Sequence, residues 1–227
     1  MSTTAVIVAA GRGTRARSAD ADQPAKQWCT VAGARVIDHT LRAFSDHPLV
    51  DAIVLVLHAD DVDIAPQLNG MIVAIGGSDR AASVRAGITA VPDTTSRVLI
   101  HDVARPCVSA GVISNVIAAL DNSDGAAPAL AVTDALWTGS DGLVSGTQDR
   151  TGLFRAQTPQ GFALPAIKAA HDAHAGGAAD DVEVARAFGI NVAIVDGDED
   201  NLKITHASDF DRAARILIAQ KDHADGR

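Results

Sequence analysis

The hydrophobic residues of this chain fall into short continuous runs, with amphipathic stretches between them. The runs are AVIVAA at 5–10, AIVLVL at 52–57, MIVAI at 71–75, VLI at 98–100, AAPALAV at 126–132 and VAIV at 192–195. Apolar runs that do not alternate with polar residues are typical of strands covered on both faces of a sheet. They predict a buried, mostly parallel β-sheet.

The amphipathic stretches have the spacing of helices. Each of three stretches places five mostly apolar residues on one helical face: Val36, Ile37, Thr40, Leu41 and Phe44; Val112, Ile113, Val116, Ile117 and Leu120; and Phe210, Ala213, Ala214, Leu217 and Ile218. Buried strands that alternate with helices predict an α/β fold, with a Rossmann-like sheet covered by helices on both faces.

One segment, ALWTGSDGLVSGTQDRTGLFRAQTP at 135–159, breaks this alternation. It holds two short β-like pieces around glycine and aspartate turns, and we expect Leu143–Thr147 and Leu153–Gln157 to pair as a protruding β-arm. An isolated hairpin is barely stable in water. The arm is therefore expected to pack against something, and a second subunit is a good candidate.

Composition and charge narrow the class of protein. The chain is 47% hydrophobic and 21% charged, which fits one globular domain over residues 1–227. Its net charge of -9 argues against a broad nucleic-acid-binding or anionic membrane surface, so an anionic substrate needs a local basic cluster. Cys29 and Cys107 are interpreted as reduced residues. No signal peptide or apolar run of about 20 residues is found, so we expect a cytoplasmic protein without a membrane partner.

Candidate chemistry follows the predicted strands. In parallel α/β sheets, ligands bind beyond the carboxyl ends of the strands. The stretches at these positions are rich in glycine and charge, and they predict an active site. They are Gly11–Arg15, Gly76–Arg80, His101–Arg105, Thr133–Ala135 and Asp196–Lys203.

The first of these loops is the strongest candidate for an anion site. Gly11 and Gly13 let backbone N–H groups approach a ligand, while Arg15 and Lys26 can hold phosphate oxygens. The dinucleotide fingerprint requires a third glycine where Ala16 stands, and the P-loop pattern is also absent. A solvated basic loop remains the alternative.

Two further stretches each allow a functional and a purely structural interpretation. GGSDRAASVRAG at 76–87 joins a glycine turn to a helix start that Ser78 or Asp79 can cap, and its backbone can also read a nucleobase edge. Asp102 can accept ribose hydroxyls or hold Mg²⁺, or it forms a local ion pair with Arg105.

Other titratable residues carry less information. Asp180, Asp181 and Glu183 are interpreted as acids of a first helical turn that interact with the helix dipole. The histidines lack the spacing of a metal site, and no local signature supports a Ser-His-Asp or Cys-His arrangement.

The ordered set of motifs resembles the 2-C-methyl-D-erythritol 4-phosphate cytidylyltransferase family. The resemblance is carried by AAGRGTR at 9–15 with PAKQ at 24–27, GGSDR at 76–80 with Ser83, HDVARP at 101–106, DRTGL at 149–153 with QTPQ at 157–160, and DNLKIT at 200–205. It implies a glycosyltransferase-A-like nucleotidyltransferase fold and transfer of CMP from CTP to methylerythritol phosphate in the non-mevalonate isoprenoid pathway. It also implies Mg²⁺ or another divalent cation with CTP, and a homodimer whose β-arms cross into the partner's site.

The resemblance also implies residue roles. Arg15 and Lys26 match the pair that stabilises the transition state. The matched nucleotide-binding positions are Ala9, Ala10, Gly11, Gly13, Gly77, Arg80, Ser83 and Asp102, of which Asp102 is also the candidate metal ligand. The matched acceptor-binding positions are Arg105, Arg150, Thr158 and Lys203.

Three features depart from the usual family pattern. The loop from Arg15 to Lys26 is longer, Ala135 replaces a frequent threonine, and Trp137 replaces a frequent lysine. The last two concern the acceptor, so a cytidylyltransferase for another polyol phosphate, such as ribitol 5-phosphate, stays an alternative. A sugar-nucleotide enzyme that uses another base, and a nucleotide-binding regulatory module without turnover, are the others.

Overall fold

A computed structural model of the chain describes residues 1–12 and 24–224. The strands there are β1 (Ser2–Val8), β2 (Thr30–Val31), β3 (Ala34–Arg35), β4 (Ala52–Leu57), β5 (Met71–Ile75), β6 (Thr95–Asp102), β7 (Gly125–Ala131), β8 (Leu136–Ser140), β9 (Leu143–Gln148), β10 (Phe154–Ala156), β11 (Gln160–Ala163) and β12 (Val192–Asp196). The α-helices are α1 (Val36–Ser45), α2 (Arg80–Thr89), α3 (Ala110–Ala119), α4 (Leu164–Ala173), α5 (Asp181–Ala187) and α6 (Ser208–Ala224), and short 3-10 helices cover Lys26–Trp28 and Ala59–Ile64.

The main sheet contains eight strands in the order β10-β7-β11-β6-β1-β4-β5, with β12 also paired to β7. The pairs of β1 with β4 and β6, of β4 with β5, and of β7 with β12 are parallel. Only β10 and β11 run antiparallel to their neighbours among these strands. The prediction of a mostly parallel α/β sheet is confirmed.

Helices cover both faces of the central strands, as the sequence pattern predicts. Successive residues of β6 show this, because Leu99 packs in the cluster with α1 and α3, whereas Val98 and Ile100 pack in the cluster with α2, α4 and α5. The expectation of fully buried strands is wrong at the edge strands, where Val73 and Ile75 of β5 and Ile194 of β12 are exposed. The α1 stripe is buried as predicted: Val36, Ile37, Thr40, Leu41 and Phe44. In α6, Ile218 is 53% exposed and Ile216 packs inward instead, because the stripe centres on Ala213.

The arm differs from its prediction. The expected pairing of Leu143–Thr147 with Leu153–Gln157 is wrong, because β9 pairs with β8 as a separate two-stranded sheet. Asp141 and Gly142 connect the two strands with positive φ angles of 52° and 78°, as in a two-residue turn that matches the twist of a hairpin. Phe154–Ala156 joins the main sheet as β10.

The hairpin of β8 and β9 exposes large apolar side chains. Trp137, Leu143 and Val144 are 68%, 75% and 58% exposed. An apolar surface of this kind often marks a protein interface. Within the described residues, no helix is long and apolar enough to cross a lipid bilayer.

Candidate active site

A cavity of about 450 Å³ opens at the carboxyl ends of the parallel strands. Its lining comes from the residues after β1, β4, β5 and β6, together with Lys26, Gln27 and Lys203. Four of the five stretches selected from the sequence contribute to this cavity, whereas Thr133–Ala135 does not line it. The rule that ligands bind beyond the strand ends therefore selects the correct edge of the sheet.

The turn after β5 packs directly against the loop after β1. A Cβ atom on Gly76 would lie 2.4 Å from Ala10 Cβ and 2.8 Å from Ser83 Oγ. Such distances are far shorter than a van der Waals contact, so any side chain at position 76 would separate the two loops. Glycine here lets the two loops form one continuous floor of the cavity.

The start of α2 fixes the other end of this turn. The Asp79 carboxylate accepts the backbone N–H of Ala82 at 2.8 Å, so Asp79 is the N-cap and Ser78 is not. The buried Ser83 hydroxyl accepts the Gly77 N–H at 3.2 Å and donates to the Asp79 carbonyl at 2.9 Å. The sequence prediction of a glycine turn with a capped helix is confirmed.

Asp102 pairs with two cationic side chains at the cavity, those of Lys203 and Arg80. Its Oδ2 accepts Lys203 Nζ at 2.6 Å, and its Oδ1 accepts Arg80 Nε at 3.3 Å. Burial favours the neutral acid, but the charges of Arg80 and Lys203 outweigh it and hold the pKa of Asp102 well below its usual range. The alternative of a local ion pair between Asp102 and Arg105 is wrong.

Asp181 extends this network into the protein interior. Its buried carboxylate accepts Arg80 Nη2 at 2.8 Å and contacts His171 Nε2 at 3.1 Å. Desolvation would lower the pKa of Arg80, but the carboxylates of Asp181 and Asp102 raise it above the ordinary value. Asp181 thereby fixes Arg80 from the side opposite the cavity.

The interpretation of the acids at the start of α5 is right for one residue and wrong for another. Asp180 caps the helix, since it accepts the Glu183 N–H at 3.0 Å. Asp181 instead turns inward, and sequence reasoning missed its contact with Arg80. The one available signal was the doubled acid, because a single aspartate is enough to cap a helix.

Lys26 reaches the cavity from the short helix Lys26–Trp28. Its Nζ donates to the Ile204 carbonyl at 3.0 Å, which places it beside the segment that carries Lys203. Gln27 is buried and donates to the carbonyls of Ala9 and Gly11, both at 3.1 Å. The structure therefore gathers these predicted residues around one cavity: Ala10, Gly11, Lys26, Gly77, Arg80, Ser83, Asp102 and Lys203.

Other predicted residues do not line the cavity. Arg105 is buried and donates to the carbonyls of Asn201 at 2.6 Å and Ala156 at 3.2 Å. Thr158 is also buried, and its hydroxyl accepts the Asp102 N–H at 3.2 Å, so both residues support the site from below. Arg150 lies exposed after the hairpin and donates to the Thr133 carbonyl. Ala9 is in the core, and Gly13 and Arg15 lie outside the described residues.

His101 is buried beside Arg105 and Thr158, and its imidazole is neutral at neutral pH. Its Nε2 donates to the Arg105 carbonyl at 3.2 Å, and its Nδ1 lies 3.0 Å from the Thr158 hydroxyl. Burial lowers the pKa of His101 to about 4. Between this value and about 6.5, the unfolded chain takes up a proton that the folded chain does not.

We therefore expect the free energy of unfolding to fall as the pH drops from 6.5 toward 4. The His101 contribution to this loss is on the order of 3 kcal/mol. Urea denaturation at a series of pH values measures it. His101→Gln should flatten the profile, whereas His223→Gln, at an exposed position, should leave it unchanged. Equal slopes in wild type and His101→Gln would contradict the assignment.

The chain is similar in sequence to the proteins of one family. The family model described as "IspD: 2-C-methyl-D-erythritol 4-phosphate cytidylyltransferase" matches residues 3–219. A 2-C-methyl-D-erythritol 4-phosphate cytidylyltransferase of Roseobacter denitrificans is 55% identical, over 96% of this chain and 98% of the relative. A bifunctional enzyme IspD/IspF of Ruegeria pomeroyi is 59% identical over 98% of this chain, which spans 58% of that longer protein.

Solved structures show the same fold. The crystal structure of 2-C-methyl-D-erythritol 4-phosphate cytidylyltransferase from Thermus thermophilus superposes with a TM-score of 0.79 at 30% identity, covering 93% of this chain and 97% of that one. The resemblance inferred from the motifs and the nucleotidyltransferase fold it implies are both confirmed. The chain therefore belongs to the 2-C-methyl-D-erythritol 4-phosphate cytidylyltransferase family.

Proposed function

We propose that this chain transfers CMP from CTP to 2-C-methyl-D-erythritol 4-phosphate, releasing pyrophosphate, as a cytoplasmic single-domain enzyme of isoprenoid biosynthesis. The observation that carries the proposal is the Asp102 carboxylate, held between Arg80 and Lys203 beside two glycine-rich loops. Cationic side chains suit a reaction between two polyanions, and the glycine loops suit close approach of a nucleotide. The names of the close relatives support the same reaction.

In the proposed mechanism, an acceptor phosphate oxygen attacks the α-phosphorus of CTP in line, and pyrophosphate leaves. The acceptor is already an anion near neutral pH, so a strong general base is unnecessary. Catalysis then consists of positioning the two substrates and stabilising the extra negative charge of the transition state. Arg15 and Lys26 are the residues proposed to supply that stabilisation.

The nucleotide half of the site is proposed to use mainly backbone groups. The residues after β1, which include Ala9, Ala10, Gly11 and Gly13, approach the nucleotide, and the turn at Gly77 with Ser83 faces the cytosine. Arg80 and Asp102 complete this half, with Asp102 near the ribose. Because Asp181 also pairs with Arg80, the Asp102 carboxylate can turn to a bound ligand without leaving the Arg80 guanidinium unpaired.

A divalent cation fits this half only as part of a complex with the nucleotide. The described parts of the chain contain no cluster of three or more His, Cys, Asp or Glu side chains able to hold a metal. Asp102 is a hard oxygen donor beside the cavity, and Mg²⁺ is commonly bound by one or two carboxylates and substrate phosphates. Bound in this way, the cation would neutralise phosphate charge, while Lys203 and Arg80 orient the carboxylate.

The acceptor half is proposed to combine residues of two subunits. Lys203 faces the cavity, and Arg105 and Thr158 lie beneath it, where a change of hydrogen bonding would be needed for direct contact with the acceptor. Arg150 does not reach the cavity of its own subunit. The exposed apolar hairpin of β8 and β9 supports a homodimer in which Arg150 completes the partner's site.

An assay of pyrophosphate release separates this reaction from the alternatives. We expect turnover with CTP and methylerythritol phosphate, and little with UTP, ATP or GTP. Comparable turnover with ribitol 5-phosphate would favour the polyol alternative that Ala135 and Trp137 leave open. Nucleotide binding without turnover for any acceptor would favour a regulatory module.

Mixing two inactive variants tests the crossing arm. Lys26→Ala and Arg150→Ala impair different halves of the site, so a mixed dimer has one site with both residues intact if Arg150 acts across the interface. We expect recovery of about a quarter of wild-type activity, since half of randomly mixed dimers are hybrids with one intact site of two. Activity that stays at the level of the separate variants would contradict a crossing arm.

A further inference from the structure

Arg12, between the two glycines of the first loop, is held by a cluster of side chains that follow β4. Its Nη1 donates to Asp61 Oδ1 at 3.1 Å, and its Nη2 contacts Asp60 Oδ2 at 2.5 Å and His58 Nδ1 at 2.7 Å. A guanidinium only donates, so His58 Nδ1 accepts. This nitrogen also accepts the backbone N–H of Asp60 at 3.2 Å.

Asp61 connects Arg12 to a second segment. Its side chain is buried, and its Oδ2 accepts the Trp28 indole N–H at 3.2 Å while Oδ1 accepts Arg12. Residues 12 and 28 flank the part of the sequence that contains Arg15 and Lys26. One carboxylate therefore contacts both the glycine loop, at Arg12, and the short helix Lys26–Trp28.

Gln27 connects the same two segments from the cavity side. Its amide donates to the carbonyls of Ala9 and Gly11 at 3.1 Å each. The two connections differ in chemistry, because the amide forms neutral hydrogen bonds and the Asp61 contact with Arg12 is an ion pair at a buried carboxylate. A buried carboxylate that loses its cation is strongly disfavoured, so the ion pair tightly restricts where Arg12 can lie.

We propose that Asp61 is a positioning residue, which sets the position of the short helix that carries Lys26 relative to the glycine loop after β1. Its contact with Arg12 fixes one segment and its contact with Trp28 fixes the other. The proposal rests on the transition-state role proposed above for Lys26. Asp61 itself does not line the cavity, whereas its partner Arg12 does.

The test compares isosteric variants in steady-state kinetics and in equilibrium CTP titrations. Asp61→Asn keeps an oxygen for the Trp28 indole but removes one of the two carboxylates that hold Arg12, and Arg12→Met removes their guanidinium partner. We expect each variant to lower kcat about 10- to 100-fold, as small misplacements of catalytic groups do, with CTP affinity changed less than about threefold. The double variant should be no worse than Arg12→Met alone, because that variant already removes the contact between Arg12 and Asp61.

Asp63→Asn is the matched control. Asp63 lies exposed on the same 3-10 helix, and its side chain has no polar contact with any residue within 1–12 or 24–224. This variant removes an equal charge nearby and should keep wild-type kcat. A kcat of Asp61→Asn equal to that of Asp63→Asn would overturn the positioning role.

The main alternative is that Arg12 binds the phosphates of CTP directly. It predicts different effects of the two variants on CTP affinity. In that case Arg12→Met would weaken CTP binding, whereas Asp61→Asn would remove only one of the contacts of Arg12 and leave binding unchanged or tighter; this pattern overturns the proposal. Lys26→Ala is measured alongside. Full activity of Lys26→Ala would overturn the catalytic assignment, whereas an inactive Lys26→Ala with a fully active Asp61→Asn would overturn only the role of Asp61.

Discussion

Lys26→Ala is expected to lower kcat by about 100- to 1,000-fold, with a much smaller rise in the KM for CTP. A charge that acts on the transferring phosphate is worth more in the transition state than in the bound substrate, so its loss falls on kcat. The contact of Nζ with the Ile204 carbonyl places this ammonium at the edge of the cavity. Steady-state pyrophosphate release at saturating methylerythritol phosphate measures the effect.

Two further variants make this result specific. Lys168→Ala removes an exposed lysine from α4 and should retain wild-type kinetics. Lys26→Arg keeps the charge but replaces a compact ammonium with a wider planar group, so an intermediate kcat is expected. A nearly normal kcat in Lys26→Ala would refute the catalytic assignment.

Asp102→Asn is expected to have the second large effect, a loss of about 100-fold or more in kcat/KM. The carboxylate joins Lys203 and Arg80 and is the proposed ligand of a divalent cation, and a neutral amide can serve none of these partners equally well. Activity measured across Mg²⁺ and acceptor concentrations should show that the variant needs higher concentrations of both. Unaltered dependence on Mg²⁺ would exclude Asp102 as the metal ligand.

The control for this variant is Asp121→Asn. Asp121 also pairs with an arginine, Arg97, at 2.5 Å, but it is largely exposed and does not line the cavity.

Asp102→Asn should also lower the free energy of unfolding at neutral pH. The folded state holds the pKa of Asp102 below its unfolded value of about 3.9, so this carboxylate stabilises the fold above that pH and loses the effect only in stronger acid.

The parts of the fold that depend on local periodicity are predictable from the sequence. The α1 stripe from Val36 to Phe44 is one example, since each of its five residues is buried as its position on the helix requires. The apolar runs also become strands of the main sheet, and those of the central strands are buried because helices cover both faces. The same rule then places the glycine-rich stretches at one edge.

The hairpin shows where local information is ambiguous. Leu143–Thr147 has β-like neighbours on both sides, and the correct one was indicated by the Asp141-Gly142 pair, a two-residue turn with both φ angles positive. The actual partner of Phe154–Ala156 is β7, more than twenty residues earlier, and the sequence contains no local signal for this pairing.

Long-range contacts account for the rest of what the sequence did not reveal. Asp181 lies 101 positions from Arg80, and Asp61 lies 49 positions from Arg12. Each acid stands in the first turn of a short helix, where an aspartate commonly interacts only with the helix dipole. Only the packing of α4 against both α2 and α5, and of the segment after β4 beside the first loop, makes them partners of site residues.

The contacts of Lys26 with Ile204 and of Asp102 with Lys203 also connect cavity formation to the cooperativity of folding. They join residues 178 and 101 positions apart, so the cavity exists only while residues 201–205 remain docked on the sheet. CTP should therefore raise the melting temperature of the entire chain, by mass action on the native state alone, with about 2.7 kcal/mol of stabilisation at a hundredfold excess over Kd. It should equally suppress amide hydrogen exchange in β1 and in the segment before α6, even though these regions lie at opposite ends of the chain.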